Sequence, residues 1–192
     1  MIYRNAGIED IGAIRELQQR YHIATISQQD KTDGFVTTLF TEEQFKELIE
    51  KENGITLACD GGKLAAYAMA ASWDYWAEWP LFQYMINELP NTEYKGTVLS
   101  TKNSYQYGPI CIDREYRGSE VLLKVFDFSR RQMSQRYPIL ITFINHVNPR
   151  SYYAHTQKLG LDVIKRFEFN NNTYYELGYD TSKALVLGGA VT

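Results

Sequence analysis

The feature that most constrains the fold is an apolar segment, a turn that contains glycine and an amphipathic helix in direct succession. Residues 104–113 predict a strand with a bulge or kink at Gly108-Pro109. Apolar residues then recur at helical spacing from about residue 119 to residue 136. The free N–H groups and the dipole at the start of such a helix can bind an anion, and Arg117 could add a charge-assisted hydrogen bond. The same arrangement is also ordinary loop geometry, so this segment alone leaves both interpretations open.

The rest of the chain alternates between strand and helix patterns, without an internal repeat or a low-complexity linker. A capping box at residues 41–44 marks a helix start, and Gly61-Gly62 between two apolar runs is typical of a β-hairpin. The further predicted elements are a strand at 2–5, a helix at 8–22, a loop at 24–37, a helix from 41 to about 54, a hairpin of 55–60 and 63–73, a helix at 73–89 broken or begun at Pro80, a loop at 90–103, a strand at 138–145, a helix at 149–159 capped by Gly160, and a hairpin of 161–169 and 173–179.

This order of elements predicts an α+β fold. Antiparallel pairing of the early strands, followed by a strand–helix–strand crossover, produces a mixed sheet. A chain of 192 residues suits one domain with a single core. We therefore predict a single domain over residues 1–192, with an unassigned tail at 181–192. Many functions are compatible with such a sheet.

Composition and charge restrict the class of protein. The formal net charge is −3 and the chain has no run of Lys or Arg, which argues against a nucleic-acid partner. Cys59 and Cys111 lie in apolar runs, as buried free thiols of a reducing compartment do. The N-terminus lacks an apolar signal core, no apolar run is long enough to cross a bilayer, and no His, Cys, Asp and Glu cluster has metal-ligand spacing. We therefore expect a cytoplasmic protein with no membrane partner and no metal.

A second motif lies downstream of the first. Asn148 and Ser151 open a helix that ends in Lys-Leu-Gly-Leu at 158–161. Together with Ile-Asp-Arg-Glu-Tyr-Arg-Gly-Ser at 112–119, this pattern resembles the GCN5-related N-acetyltransferase (GNAT) family, whose members carry a strand followed by xEYRGxG and a later helix with NxxS/A and KLGF. Glu-Asp-Ile at 9–11, after the first strand, also resembles the common opening of that family. The resemblance covers nearly the whole chain.

The resemblance implies a central mixed, mostly antiparallel sheet of about six to seven strands flanked by helices. It also implies that the strands at 104–113 and 138–145 splay apart and bind the pantetheine arm of CoA, while the next helix start holds the pyrophosphate. The implied activity is direct transfer of an acetyl group from acetyl-CoA to a neutral amine, with backbone donors stabilising the developing oxyanion. The residues implied to bind the cofactor are Ile110, Cys111, Ile112, Arg117, Gly118, Ser119, Glu120, Val121, Leu122, Asn148 and Ser151.

The chain departs from the family pattern in two places. The family's turn reads Arg-x-x-Gly-x-Gly/Ala, whereas residues 117–122 read Arg-Gly-Ser-Glu-Val-Leu, so the acidic Glu120 replaces a small residue. Many members carry a tyrosine that protonates the leaving thiolate, and Thr156 occupies that position here. An extra residue or a bulge in this helix would bring His155 or Tyr153 to the thiolate instead, which makes both candidate catalytic residues. Either side chain could equally be an ordinary helix residue without a catalytic role.

An aromatic block at residues 73–79 is the most unusual part of the composition. It follows the third predicted strand, near the place where GNAT acceptor sites lie, and Trp and Tyr suit pockets and interfaces alike. Three interpretations are open: the wall of a substrate pocket, a contact between two copies in a homodimer, or core packing. The candidate substrate contacts are Trp73, Trp76, Trp79, Tyr105 and Tyr107.

Two functions are compatible with these patterns. The first is an acetyl-CoA-dependent N-acyltransferase that acts on an amine of a small molecule or a peptide. The second is a GNAT-fold protein that binds a ligand or a partner without catalysis, because its phosphate loop is degenerate. Release of CoA from acetyl-CoA in the presence of a panel of amines distinguishes the two.

Overall fold

A seven-stranded sheet forms the centre of the fold. The computed structural model describes residues 1–27 and 35–185. The strands of this sheet, in chain order, are β1 (Ile2–Asn5), β2 (Ile55–Asp60), β3 (Lys63–Ala71), β6 (Ser104–Ile112), β7 (Ile139–Asn145), β8 (Asp162–Phe169) and β9 (Asn172–Asp180), while β4 (Glu93–Tyr94) and β5 (Thr97–Val98) form a separate small hairpin.

The spatial order of the main sheet is β1-β2-β3-β6-β7-β9-β8. Every neighbouring pair is antiparallel except β6–β7, which is parallel. The helix between β6 and β7 makes the crossover that parallel neighbours require. The predicted mixed, mostly antiparallel sheet is therefore confirmed.

The helices begin and end close to where caps and prolines place them. Thr41 accepts the N–H of Gln44 and the Gln44 side chain accepts the N–H of Thr41, which is the predicted capping box. Pro80 occupies the first turn of its helix, where its missing N–H removes no hydrogen bond. The helices are α1 (Ile11–Arg20), α2 (Glu42–Glu47, continued by a π-helical turn Leu48–Glu52), α3 (Trp73–Trp76), α4 (Pro80–Glu88), α5 (Val121–Met133) and α6 (Pro149–Tyr153, continued by a π-helical turn Ala154–Lys158).

Two apolar layers cover the sheet, one on each face. Strand β3 shows how they arise, because its side chains alternate between the faces. Ala66, Ala68 and Ala70 pack with α5 on one face, and their small side chains allow the helix to approach closely. Tyr67 and Met69 pack on the other face with the residues of α1 to α4. The central strands are therefore buried on both sides.

Strands β6 and β7 pair over only a short length before they separate. The pairing joins Ser104–Gln106 to Ile139–Ile141. Directly after this pairing Gly108 adopts a φ of +105°, which side-chain-bearing residues rarely adopt. The register of β6 against β3 also shifts here, so the predicted bulge is confirmed. The edge of β6 beyond Gln106 therefore faces a gap instead of a paired strand.

The break expected at Pro80 in the helix at 73–89 is present and separates α3 from α4. Two details differ from the sequence-based expectation. The expected loop at 90–103 contains the small hairpin of β4 and β5, whose two-residue strands are too short to show a period. The expected first helix starts with a 3₁₀ turn at Ile8–Asp10. Parts of the predicted loop at 24–37 and of the tail at 181–192 lie outside the described residues.

Candidate functional site

A cleft of about 420 Å³ lies beside the unpaired end of β6. The turn between β6 and α5 forms one wall, α6 with its π-helical turn forms a second, and the end of α1 contributes a third. The predicted cofactor residues Ile110, Cys111, Ile112, Arg117, Gly118, Ser119, Leu122, Asn148 and Ser151 line it, together with Tyr21, Phe35, Val36, Tyr116, Arg150, Tyr153, Ala154, His155 and Lys158.

The start of α5 presents backbone donors to this cleft. Gly118 turns the chain with a φ of +85°. Ser119 donates its hydroxyl to the Tyr116 carbonyl at 2.6 Å and accepts the N–H of Val121 at 3.3 Å. The N–H groups of Leu122 and Leu123 find no acceptor among the described residues, as is normal for the first turn of a helix. The N–H of Leu122, which lines the cleft, and the positive end of the helix dipole therefore remain for an anion.

Two of the predicted cofactor residues do not line the cleft. The side chain of Glu120 is 67 % exposed and forms an ion pair with Lys124 at 2.7 Å. The side chain of Val121 is buried in the core beneath α5. Neither side chain is therefore placed to contact a ligand in the cleft. The acidic side chain at the helix start is thus directed toward solvent and Lys124.

Arg117 is held against the wall of the cleft by two contacts. Its Nε donates to the Ile112 carbonyl at 2.9 Å, and its guanidinium carbon lies 4.5 Å from the centre of the Tyr21 ring. The Tyr21 hydroxyl in turn accepts the N–H of Arg114 at 2.8 Å. This arrangement ties the end of α1 to the turn before α5. The guanidinium therefore stands between β6 and α1, closer to the strand than the sequence pattern indicates.

The charged side chains that line the cleft are all basic among the described residues. Arg117, Arg150 and Lys158 line it, and no Asp or Glu does so among the described residues. The nearest buried carboxylate, Asp113, is engaged by Arg20 at 2.8 Å. A protein of net charge −3 therefore concentrates positive charge at this cleft, which suits a ligand that carries phosphates.

Helix α6 changes its geometry at the cleft. The Asn148 side chain accepts the N–H of Ser151 at 3.1 Å and caps the helix. After Tyr153 the helix widens into a π-helical turn, in which the N–H of Leu159 bonds to the carbonyl of Ala154 at 3.0 Å. Gly160, with a φ of +73°, then ends the helix as predicted. The bulge considered for this helix from its sequence is therefore present.

His155 is the buried titratable group of α6 that lines the cleft. Only 5 % of the residue is exposed, and its Nδ1 lies 2.8 Å from the Ser151 carbonyl. Burial lowers the pKa of His155, whereas the hydrogen bond to Ser151 opposes that change. Tyr153, the other catalytic candidate, also lines the cleft but is 57 % exposed. Thr156 does not line it and donates its hydroxyl to the Tyr152 carbonyl at 2.8 Å.

Cys111 lines the cleft as a protonated thiol. Its sulfur lies 3.9 Å from the Leu17 carbonyl, and burial raises the pKa of the thiol to about 12. A thiol with such a pKa is a weak nucleophile at neutral pH. Both cysteines are free, and Cys59 is half-buried where burial was expected to be complete.

The structure corrects the prediction of substrate contacts for four aromatic side chains. Trp73, Trp76, Tyr105 and Tyr107 are all 0 % exposed and lie outside the cleft. Core packing is therefore the correct interpretation for them, because their large rings fill the layers between the sheet and its helices. Trp79 is half-buried, also lies outside the cleft, and packs against Phe40 at a centroid distance of 5.7 Å.

Several cleft residues were missed from the sequence. Arg150 and Lys158 lie inside the two halves of the α6 motif, so their charge was the available signal. Tyr21 follows the last turn of α1 and fits its apolar spacing, which concealed its second role under Arg117. Val36 comes from a loop without a periodic pattern, so nothing in the sequence pointed to it.

Within residues 1–27 and 35–185, no group of three or more His, Cys, Asp and Glu side chains is placed to hold a metal ion. No helix in the same part of the chain is both long enough and apolar enough to span a membrane.

No protein-family model and no curated protein matches the chain by sequence. Solved structures match its fold. The Salmonella typhimurium protein yncA, solved with its cofactor acetyl-CoA, aligns with a TM-score of 0.62 at 11% identity over 94% of this chain and 93% of that one. An acetyltransferase of the GNAT family from Streptococcus pneumoniae gives 0.61 at 14% identity over 93% and 98% of the two chains. The ribosomal-protein-S18-alanine N-acetyltransferase from Escherichia coli gives 0.59 at 11% identity over 100% and 97%. The resemblance seen in the sequence is thus confirmed at the level of the fold.

Proposed function

We propose that this chain, whose fold is that of the GNAT acetyltransferases, transfers an acetyl group from acetyl-CoA to the amine of a small molecule or a peptide. The observation that carries the proposal is the cleft beside the diverging ends of β6 and β7, which reaches the open N-terminus of α5. The unpaired edge of β6 suits the long arm of such a cofactor. The free N–H groups at the start of α5 and the cationic side chains suit its phosphates.

The described residues fit acetyl-CoA. The unpaired edge of β6 at Ile110 to Ile112 offers backbone groups to the amides of a pantetheine arm. The N–H group of Leu122 suits a pyrophosphate, and Arg150 and Lys158 add positive charge on the facing wall. When bound, acetyl-CoA supplies an activated acetyl group as a thioester.

The structural neighbours support the choice of reaction and of acceptor. One is solved with acetyl-CoA, and another is named for acetylating an alanine of a ribosomal protein. Both share the whole fold with this chain at low identity. A primary amine is therefore the proposed acceptor class, on a small molecule or at a peptide.

A second candidate, binding without catalysis, is favoured by one specific observation. The helix start is partly satisfied by the chain itself, because the Ser119 hydroxyl accepts the Val121 N–H, and the N-cap residue Glu120 carries a negative charge. Such a loop could bind a less charged ligand than a pyrophosphate. The two candidates make opposite predictions for amine-dependent release of CoA from acetyl-CoA.

The proposal is tested by measuring CoA and acetyl-CoA affinity calorimetrically, and CoA release with an amine panel. We expect Arg117→Ala to weaken CoA binding about tenfold, equivalent to about 1.4 kcal/mol, since it removes one cationic group from the cleft. The matched control is Arg15→Ala, which removes an exposed arginine paired with Glu42 on α2. We expect the control to bind CoA as the wild type does.

Three outcomes distinguish the candidates. Binding with amine-dependent CoA release supports acetyl transfer. Binding without release for any amine supports the second candidate. Absence of CoA binding at millimolar concentration, with a folded protein, rules out the cofactor assignment.

A further inference from the structure

We infer that His155 is the base that takes the proton from the acceptor amine, through its Nε2. This inference rests on the proposed acetyl transfer and assigns a catalytic residue within it.

The tautomer of His155 follows from its partner. Nδ1 lies 2.8 Å from the backbone carbonyl of Ser151, and a carbonyl oxygen can only accept a hydrogen bond. Nδ1 therefore carries the hydrogen. In the neutral ring Nε2 then has a free lone pair, and it has no hydrogen-bond partner among the described residues.

The π-helical turn gives the ring its access. His155 is the second residue of the turn Ala154–Lys158, in which the helix carries one residue more than an α-helical turn. The ring is almost completely buried, lies 6.3 Å from the Tyr107 ring, and still lines the cleft. A base in this position is shielded from bulk water and meets a ligand only through the cleft.

The other titratable groups of the cleft do not compete for this role. From the facing elements these are Cys111 on β6, Tyr21 after α1, and Tyr116 and Arg117 on the turn before α5; from its own helix they are Arg150, Tyr153 and Lys158. Lysine and arginine side chains offer hydrogen-bond donors and no acceptor, and a tyrosine hydroxyl is a weaker base than an imidazole. Burial raises the pKa of the Cys111 thiol to about 12. No Asp or Glu of the described residues lines the cleft. His155 is thus the one neutral proton acceptor among these lining groups.

The protons balance with His155 in this role. Nε2 takes one proton from the nitrogen as the N–C bond to the acetyl group forms and the C–S bond breaks. The imidazolium passes that proton to the departing sulfur, directly or through water, so the second product leaves as the thiol. His155 returns to its neutral form, and no further reactant is required.

The kinetic test is the pH profile of kcat/KM for the best acceptor of the amine panel, expressed per concentration of neutral amine. We expect the wild type to lose activity as Nε2 becomes protonated, at a pH below the ordinary pKa of histidine, because burial lowers the pKa of His155. His155→Gln should lose about 100-fold in kcat/KM and should lack this acidic limb. The matched control is Thr156→Ala, which lies in the same turn outside the cleft and should keep both.

A readout besides activity checks the geometry. Nitrogen-15 NMR of the imidazole, with and without saturating CoA, should show Nδ1 protonated and Nε2 unprotonated at pH 7.5. Calorimetry should show CoA bound by His155→Gln with wild-type affinity within about threefold, since the side chain can be replaced by another polar group.

The outcomes that overturn the inference are distinct from those that overturn acetyl transfer. An active His155→Gln with an unchanged acidic limb, or a ring protonated at Nε2, overturns the inference alone. A wild type that binds CoA but releases none with any amine overturns both the inference and acetyl transfer, while the cofactor assignment stands. Absence of CoA binding by the wild type overturns all three.

Discussion

Glu120 shows how one residue at a helix start is tolerated where a phosphate is proposed to bind. Its carboxylate pairs with Lys124 one turn along α5 and is directed away from the cleft. An acid in the first turn complements the helix dipole and stabilises α5 while no anion is bound. The same charge repels an incoming pyrophosphate, although exposure and Lys124 screen most of the repulsion.

We therefore predict that Glu120→Gly tightens CoA binding by at most about fivefold, and that the gain shrinks at high salt. Glu120→Gln distinguishes the effect of the lost charge from the effect of a more flexible backbone, since it removes the carboxylate and keeps a side chain. Similar gains from both variants in calorimetry assign the effect to charge. Restoration of binding by Glu120→Gly in a protein that otherwise binds no CoA would contradict the proposed function of the wild type.

Glu176 is a buried carboxylate with one cationic neighbour. It lies on β9, almost fully buried, and Lys165 of β8 approaches its carboxylate at 3.6 Å. Lys165 also donates to the Thr92 hydroxyl at 2.7 Å. Burial raises the pKa of Glu176, and the lysine counteracts that change. A folded-state pKa above the unfolded value means that stability is lost as pH rises through the folded pKa.

We predict that Lys165→Met destabilises the fold by about 2 kcal/mol at pH 8, because it leaves the Glu176 carboxylate without its partner. At pH 5 the deficit should be smaller, since the carboxyl can then be protonated at less cost. Glu176→Gln is the matched control and should show little dependence on pH over this range. Urea unfolding at both pH values measures the difference, and a deficit independent of pH contradicts the argument.

At the scale of single elements, the stability of α6 depends on the conformation of the glycine that ends it. Gly160 adopts a left-handed φ of +73°, and a Cβ added there would meet no atom within 4 Å. Any cost of substitution is therefore conformational, without a steric clash. Gly12 is the exposed second residue of α1, and a Cβ there would also meet nothing within 4 Å.

We predict opposite signs for the same substitution at these two glycines. Gly160→Ala should destabilise by about 1–2 kcal/mol, because alanine disfavours the left-handed conformation. Gly12→Ala should stabilise by about 0.5–1 kcal/mol, because alanine loses less backbone entropy in a helix. Thermal and urea unfolding of both variants check this, and a stabilising Gly160→Ala would show that the helix ends differently in solution.

At the scale of the whole molecule, the cleft joins segments that are distant in the chain. The end of α1, the unpaired edge of β6, the start of α5 and the π-helical turn of α6 all meet there. Because unfolding of the sheet separates these four segments, a ligand that contacts all of them binds only the folded protein. It therefore stabilises the folded state by mass action.

We predict that acetyl-CoA at about 100 times its Kd stabilises the fold by about 2.7 kcal/mol. For a chain of this size the corresponding rise in Tm is about 5–10 °C. The measurement is a thermal melt against acetyl-CoA, with dephospho-ligand and free pantetheine as controls for the cationic wall. An equal shift with pantetheine would show that the charges at Arg150 and Lys158 do not contribute.

Much of the fold was predictable because it depends on neighbours in sequence. The capping box at Thr41, the hairpin at Gly61-Gly62 and the helix end at Gly160 each follow from a few adjacent residues. The motifs also placed most cofactor candidates on one cleft, since a strand and the helix that follows it share an edge of the sheet. The small hairpin of β4 and β5 was not predictable, because two-residue strands carry no periodicity.

The sequence by itself determined the order of the elements, the position of the turn before α5 and the family resemblance, because periodicity, caps and turn residues act over a few positions. The tertiary structure alone decided that Trp73 and Trp76 lie in the core, that Arg117 packs on Tyr21, and that His155 faces the cleft with Nδ1 bonded to Ser151. Burial and the direction of a side chain depend on which distant segments pack together, and a local pattern does not contain that information.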